Sequence, residues 1–183
     1  AANPTDPSVG YITRMGQVSV AEWFGDWNSN VTDDARAYVS SAAAVNAVPV
    51  LVLYNIPERD CGGYSTGGAA SVAAYTTWVG QAAAGIGNRT AVVILEPDAL
   101  GALDCLATAD QQSRYQALSQ AVTILKAQPH TSVYIDAGTP VWQSTTTMAT
   151  RLKAANIAAA DGFSLNVSYF LPTSQNQTYG DQL

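Results

Sequence analysis

A chain of 183 residues, 48% hydrophobic and 12% charged, can bury one sizeable core, and nothing in that composition describes a disordered tract. The formal net charge of −6, with only eight Lys and Arg, argues against nucleic acid or an anionic membrane as partner, since both reward clustered cations, and favours a neutral substrate. No run reaches transmembrane length and no charged start precedes an apolar signal core, so the chain reads as a mature, soluble product.

Residues 1–16, with Pro4, Pro7 and Gly10, predict an irregular lead-in. The apolar stretch 18–24 predicts a first strand, followed by Asp26, Trp27 and Asn28 in a loop. Thr32, Asp33 and Asp34 then start an Ala-rich helix running to about Ala47, with the acidic pair at its positive end. The run VPVLVLYN, residues 48–55, predicts a buried second strand. Residues 62–69, GGYSTGGA, hold four glycines in a mobile loop that matches neither the dinucleotide nor the P-loop pattern.

A helix over 71–84 places Val72, Tyr75, Trp78, Val79 and Ala82 on one face, with Trp78 in the core. TAVVIL, residues 90–95, is the third strand. Thr108 with Gln111 predicts a capping box for a helix that turns Tyr115, Leu118, Val122 and Leu125 inward and ends before Pro129. SVYI, residues 132–135, is the fourth strand. A helix over 146–155 with Met148 and Leu152 inward, a strand over 162–166 and a polar, loop-like tail over 172–183 complete the chain.

Five strands alternating with four helices predict a parallel sheet with right-handed crossovers. Asp60, Asp98 and Asp136 recur at one interval, each just after an apolar run, so all three gather at the carboxyl edge of the sheet, where parallel α/β folds do their chemistry. The one histidine, His130, falls in a helix-to-strand connection at the opposite edge, which disfavours a Ser-His-Asp or Cys-His arrangement. Two distant cysteines offer no zinc-like spacing, and a metal held by carboxylates alone is a weaker reading. Cys61 and Cys105 themselves leave two readings, a disulfide or two reduced thiols, although neighbouring strand ends would bring them close. N-x-S/T triplets at Asn30, Asn88, Asn166 and Asn176 are expected by chance in so Ser- and Thr-rich a chain.

What remains is carboxylate acid/base chemistry flanked by aromatics: Trp23, Trp27, Tyr54, Tyr64 and Trp142. Sugar rings stack on such faces, and two carboxyls flanking a glycosidic bond can protonate the leaving oxygen and manage a water. The bland alternative is aromatics in the core and aspartates that cap helices or bond loops.

The strings LVLYNIPERDCGGYSTGGA, AVVILEPDAL, VYIDAG followed by Trp142, and GFSLNVS resemble, in order and spacing, the family 6 glycoside hydrolases, inverting cellulases that include endoglucanases and cellobiohydrolases. The resemblance runs from about Trp23 to the end. It implies a distorted, partly open β/α barrel of parallel strands, TIM-like and incomplete at the C-terminus, with residues 1–183 as the N-terminal portion of a single catalytic-type domain. It also implies a secreted monomer that hydrolyses β-1,4-glucan, in cellulose or cello-oligosaccharides, with inversion and with no metal or other cofactor. Asp98 would be the general acid. Asp60 would keep the acid's pKa high and organise the water, which suits two carboxyls that resist ionising together.

On the same resemblance Tyr54 lies under the distorted sugar and Arg59 is a charge partner of Asp60. Trp23 and Trp142 are stacking platforms. Ser65 and Thr66 sit in the loop that positions water, Asp136 supports sugar binding, and Asn166 is a polar residue of the same groove. Cys61 and Cys105 match a family disulfide. Thr139 and Tyr169 depart from the family pattern. The family's domain continues past the position of Leu183 through further strands and the proposed catalytic base, so an isolated 183-residue product is expected to be poorly stable or inactive. The competing reading is a noncatalytic glycan-binding protein of the same fold.

Overall fold

Burial alternates along residues 91–95 and 131–135, because the sheet has helices on one face only. In a computed structural model that describes residues 5–183, the strands are β1 (Glu22–Phe24), β2 (Val50–Leu53), β3 (Ala91–Leu95), β4 (Thr131–Asp136) and β5 (Gly162–Ser164). All neighbours pair in parallel and lie side by side in chain order. A chain that steps one strand at a time in one direction, always with a right-handed crossover, leaves every helix on the same side. That is the winding of a barrel wall rather than of a doubly wound sheet.

The register aligns Leu51 with Val93 and Val133, and Leu53 with Leu95 and Ile135. These rows are buried beneath α2 (Val31–Ala44), α3 (Val72–Ile86), α4 (Thr108–Lys126) and α5 (Thr145–Ala154), which contribute Ala35, Val39, Tyr75, Val79, Leu118, Val122, Met148 and Leu152. On the other face Val50, Val92, Ile94, Ser132 and Tyr134 are only partly buried. Trp78, expected in the core, lies at its edge and is partly buried.

The helix starts differ in detail from the sequence expectation. Asn30, not Thr32, caps α2 by accepting the Asp33 amide at 3.2 Å, with Asp33 and Asp34 in the first turn as foreseen. Ser71 and Ser144 cap α3 and α5 in the same way. No capping box forms at α4: Thr108 is already helical, and Gln111 reaches back to the Leu106 carbonyl at 2.9 Å.

Two helices were not foreseen. Within the lead-in, whose first four residues lie outside the described residues, α1 (Val9–Met15) begins after Pro7, where a missing N–H costs nothing. In the tail, α6 (Thr173–Gly180) has almost no apolar stripe and is anchored by the buried Tyr179. The first strand is shorter than expected because Val18 and Val20 are 67% and 77% exposed and leave the sheet.

Helices α2 and α3 meet closely at Gly85. A methyl group there would stand 2.4 Å from the Thr32 carbonyl oxygen and 2.9 Å from the Ala35 side chain. Gly85→Ala gains helix propensity of about 1 kcal/mol but must push two packed helices apart. We expect a net loss of about 1–3 kcal/mol, read as a lowered urea midpoint with unchanged slope.

Candidate functional site

After the strands the backbone turns sharply through residues that are not glycine. Glu58, Asp60 and Cys61 follow β2, Glu96 and Asp98 follow β3, and Asn166 follows β5, all with φ between 47° and 72°. Such conformations cost on the order of 1–3 kcal/mol each and persist only where surrounding bonds over-determine them. Here those bonds converge on Asp98. Its Oδ2 accepts from the Tyr54 hydroxyl at 3.2 Å, its Oδ1 accepts from the Ser168 hydroxyl at 2.5 Å, and its own amide donates to Asp136 Oδ2 at 3.1 Å.

Asp98 and Asp60 line the same cleft, of about 500 Å³, together with Ala102, Val141, Trp142 and Ser168. Burial raises the Asp98 pKa above the ordinary carboxylate range, and the negative charge of Asp60 adds to the rise, against the hydrogen bonds from Ser168 and Tyr54. Burial and then the charges of Asp98 and Asp60 hold the Tyr54 phenol protonated, with its pKa far above the ordinary value. Trp142 lies against Gly101 and Gly138, where an added methyl would come within 2.7 and 2.8 Å of its ring, and the Tyr169 ring stands edge-on to it at 5.6 Å. Trp23, on β1, meets Tyr54 edge-on at 5.4 Å.

Tyr54, Asp60, Asp98, Trp23 and Trp142 are therefore gathered at the carboxyl edge, as the sequence predicts. Ser65 and Thr66 sit exposed on the glycine-rich loop, and the Ser65 amide donates to Asp60 Oδ2 at 2.7 Å. The Cys61–Cys105 disulfide ties that loop to the segment after Asp98, with the α-carbons 6.2 Å apart. His130 is exposed at the opposite edge.

Three expected placements differ. Arg59 is buried and forms its ion pair with Asp26 at 3.1 Å, not with Asp60; it also donates to the carbonyls of Tyr54 and Ser65 and lies over the Tyr54 and Trp27 rings. The left-handed turn sends Asp60 away toward the Ser65 amide while Arg59 folds inward. Asp136, 1% exposed, sits beneath Asp98 and bonds the backbone amides of Asp98 and Gly138, so it supports the site from below rather than facing the groove. Both side-chain atoms of Asn166 are spent on the Leu171 backbone, closing a short loop, and Ser168 on that loop is the residue that reaches the cleft. The sequence assigns no role to Ser168, although it ends the GFSLNVS string, and places Asp26 in a loop without pairing it to Arg59.

Two consequences are measurable. Because Asp60 raises the Asp98 pKa and Ser168 lowers it, Asp60→Asn should move the Asp98 midpoint down and Ser168→Ala should move it up, read from the titration of a carboxyl-13C label. Burial also pushes Glu96 and Asp136 up to about 7. A carboxyl that binds its proton more tightly folded than unfolded contributes stability below the ordinary carboxyl range and loses it as pH climbs through the raised value. Asp26, Asp104 and Asp161 are shifted downward and finish titrating before that window opens. The melting temperature should thus fall by about 5 °C or more between pH 5 and pH 8, measured by calorimetry.

A family profile described as "Glycosyl hydrolases family 6" matches residues 4–182. Endoglucanase 1 of Streptomyces halstedii is 45% identical over 184 residues, covering 99% of this chain and 57% of that protein. Endoglucanase A of Thermobispora bispora is 42% identical, covering 95% and 39% respectively. Among solved structures, the endoglucanase Cel6 from Mycobacterium tuberculosis, in complex with a methyl-cellobiosyl-thio-cellobioside, superposes with a TM-score of 0.93 at 37% identity, over 98% of this chain and 62% of that one. That agreement extends the barrel-type winding of the sheet to its solved relatives. The chain spans less than two thirds of the length of each of these proteins. With its profile matched almost from end to end, the chain belongs to the glycosyl hydrolases family 6.

Proposed function

We propose that this chain is the acid-bearing portion of an enzyme that hydrolyses β-1,4-glucosidic bonds in cellulose or related glucans, with inversion at the anomeric carbon. The observation that carries the reading is Asp98, a partly buried carboxyl with a raised pKa that opens into the same cleft as a second carboxyl and a tryptophan. A carboxyl that stays protonated can deliver its proton to the glycosidic oxygen as the bond breaks. Asp60 keeps the charge near Asp98 unfavourable for ionisation and, with the Ser65 amide, organises the attacking water.

Tyr54 donates to Asp98 and presents its ring edge to Trp23, which suits it to lie under a distorted sugar at the point of cleavage. Trp23 and Trp142 give apolar faces to the sugars on either side, and Ser65 and Thr66 ride on the loop beside them. Arg59, Asp136 and Asn166 act through the backbone they hold. Membership of the family is consistent with inversion, and the cellobioside analogue bound by the M. tuberculosis relative supports a glucan substrate. Residues 1–183 belong to a single catalytic domain. A disulfide between Cys61 and Cys105 suits a protein secreted into an oxidising medium, where it acts as a monomer on cellulose.

A carbohydrate-binding protein would gain nothing from raising the pKa of one carboxyl beside another, which is why hydrolysis is preferred to the noncatalytic reading. Asp98→Ala in the full-length protein should lower kcat by about 10²-fold or more while cello-oligosaccharide affinity stays within a few fold, because an acid acts in the transition state. Turnover unchanged in that variant would remove the assignment. Polarimetry on the parent should register the α-anomer as first product.

A further inference from the structure

The turn that carries Arg59 and Asp60 is held from beneath by two buried ionisable side chains that lie outside the cleft of Asp60 and Asp98. Glu96 is fully buried, and its carboxylate accepts from the Asn55 amide at 2.9 and 3.0 Å and from the Ile56 amide at 3.0 Å. Arg114, from α4 and 4% exposed, donates through Nη2 to the Pro57 carbonyl at 2.7 Å and the Glu58 carbonyl at 2.8 Å, and through Nη1 to the Ala99 carbonyl at 3.4 Å. One residue therefore takes the N–H groups at 55 and 56, and the other takes the C=O groups at 57 and 58 and one just past Asp98. The backbone they grip includes Glu58, in the left-handed region at φ 55°. The Tyr75 phenol closes the far side of Glu96, and Glu58 is the other acidic group whose charge reaches Arg114.

We infer that Glu96 and Arg114 form a clamp that sets the position of the Asp60 turn relative to the Asp98 turn, and that both are positioning residues for the hydrolytic reaction. Neither lines the cleft, so neither touches a sugar. Their action is on the backbone: with four consecutive residues fixed to β3 and α4, Tyr54 at one end and Asp60 at the other keep their places against Asp98. Loosening the clamp admits water around Asp98, whose raised pKa has burial as its largest cause. The groups facing Asp98 that would feel this are Tyr54, Asp60, Asp136 and Ser168.

The inference rests on the proposed hydrolysis, and the experiment separates the two. Arg114→Met and Glu96→Leu keep the side-chain bulk and remove the bonds, whereas Arg114→Lys and Glu96→Gln keep part of the bonding and guard against a variant that does not fold. In the full-length protein, kcat per folded molecule should fall about 10–100-fold in the Met and Leu variants with KM within about threefold, and the Lys and Gln variants should fall between them and the parent. The Asp98 carboxyl midpoint, read by 13C NMR, should move down toward the ordinary range in the same order. A merely structural role would lower the folded fraction and leave kcat per folded molecule, KM and the Asp98 midpoint at parental values; that result overturns the clamp. Asp98→Asn serves as the control: if it retains turnover, the hydrolytic reading fails, whereas if it is inactive and the clamp variants are parental, only the clamp fails.

Discussion

Burial lifts the pKa of a carboxyl and a nearby negative charge lifts it further, and Asp98 is subject to both. That burial is a product of topology. Because all five strands run in parallel and in chain order, the loops after β2, β3, β4 and β5 open at one edge and meet there. Tyr54 comes from the first of these loops and Asp98 from the second, Asp136 ends β4 where the third begins, and Ser168 comes from the fourth. No pair of neighbouring strands could assemble this set. The fold is thus prior to the chemistry, and the helices that cover a single face of the sheet leave the other face available for a groove.

Assembling the loops so tightly has an energetic consequence. Among the described residues, six of the eight non-glycine positions with positive φ are at this edge, and two carboxyls, Glu96 and Asp136, are almost fully buried beneath it. The bonds that hold them are nearly all made to the backbone: Glu96 to two amides, Asp136 to two amides, Arg59 to three carbonyls and Arg114 to three. Backbone groups are fixed in place by the chain itself, so in each such bond only one side chain, the buried charge, gives up rotamer freedom. The disulfide adds to this by closing a loop of 44 residues, worth about 4 kcal/mol in the chain-entropy view. Arg151, on α5, binds the Leu100 carbonyl and Asp104, so the segment after Asp98 is held from the helix layer as well.

The legible part of this molecule is what depends on periodicity. Apolar runs at 48–55, 90–95 and 132–135 are recognisable as buried strands because parallel sheets are covered by helices and tolerate few polar residues. An aspartate just after each run is then placed at the carboxyl edge without any knowledge of coordinates. Direction is what the letters do not carry. A left-handed residue reverses the sense of a side chain, so Arg59 turns inward to Asp26 while Asp60 turns to the Ser65 amide, although the two are adjacent. Asp136 and Asn166 stand at strand ends as expected, yet both point at backbone, because each loop there needs a partner for its own amides. Helix α6 escaped for a different reason, since a polar segment fixed by a single tyrosine has no stripe to detect.

These differences sort the residues at the edge into two kinds. Tyr54, Asp60, Asp98, Trp142 and Ser168 contact one another or the cleft. Arg59, Glu96, Arg114, Asp136 and Asn166 are turned away and hold main-chain atoms. The division explains why charged residues are so concentrated beneath the cleft. Their bonds go to main-chain atoms, so most of the charge here is spent on geometry. The two acidic side chains that line the cleft, Asp60 and Asp98, are coupled there, since the charge of Asp60 adds to the rise that burial gives the Asp98 pKa.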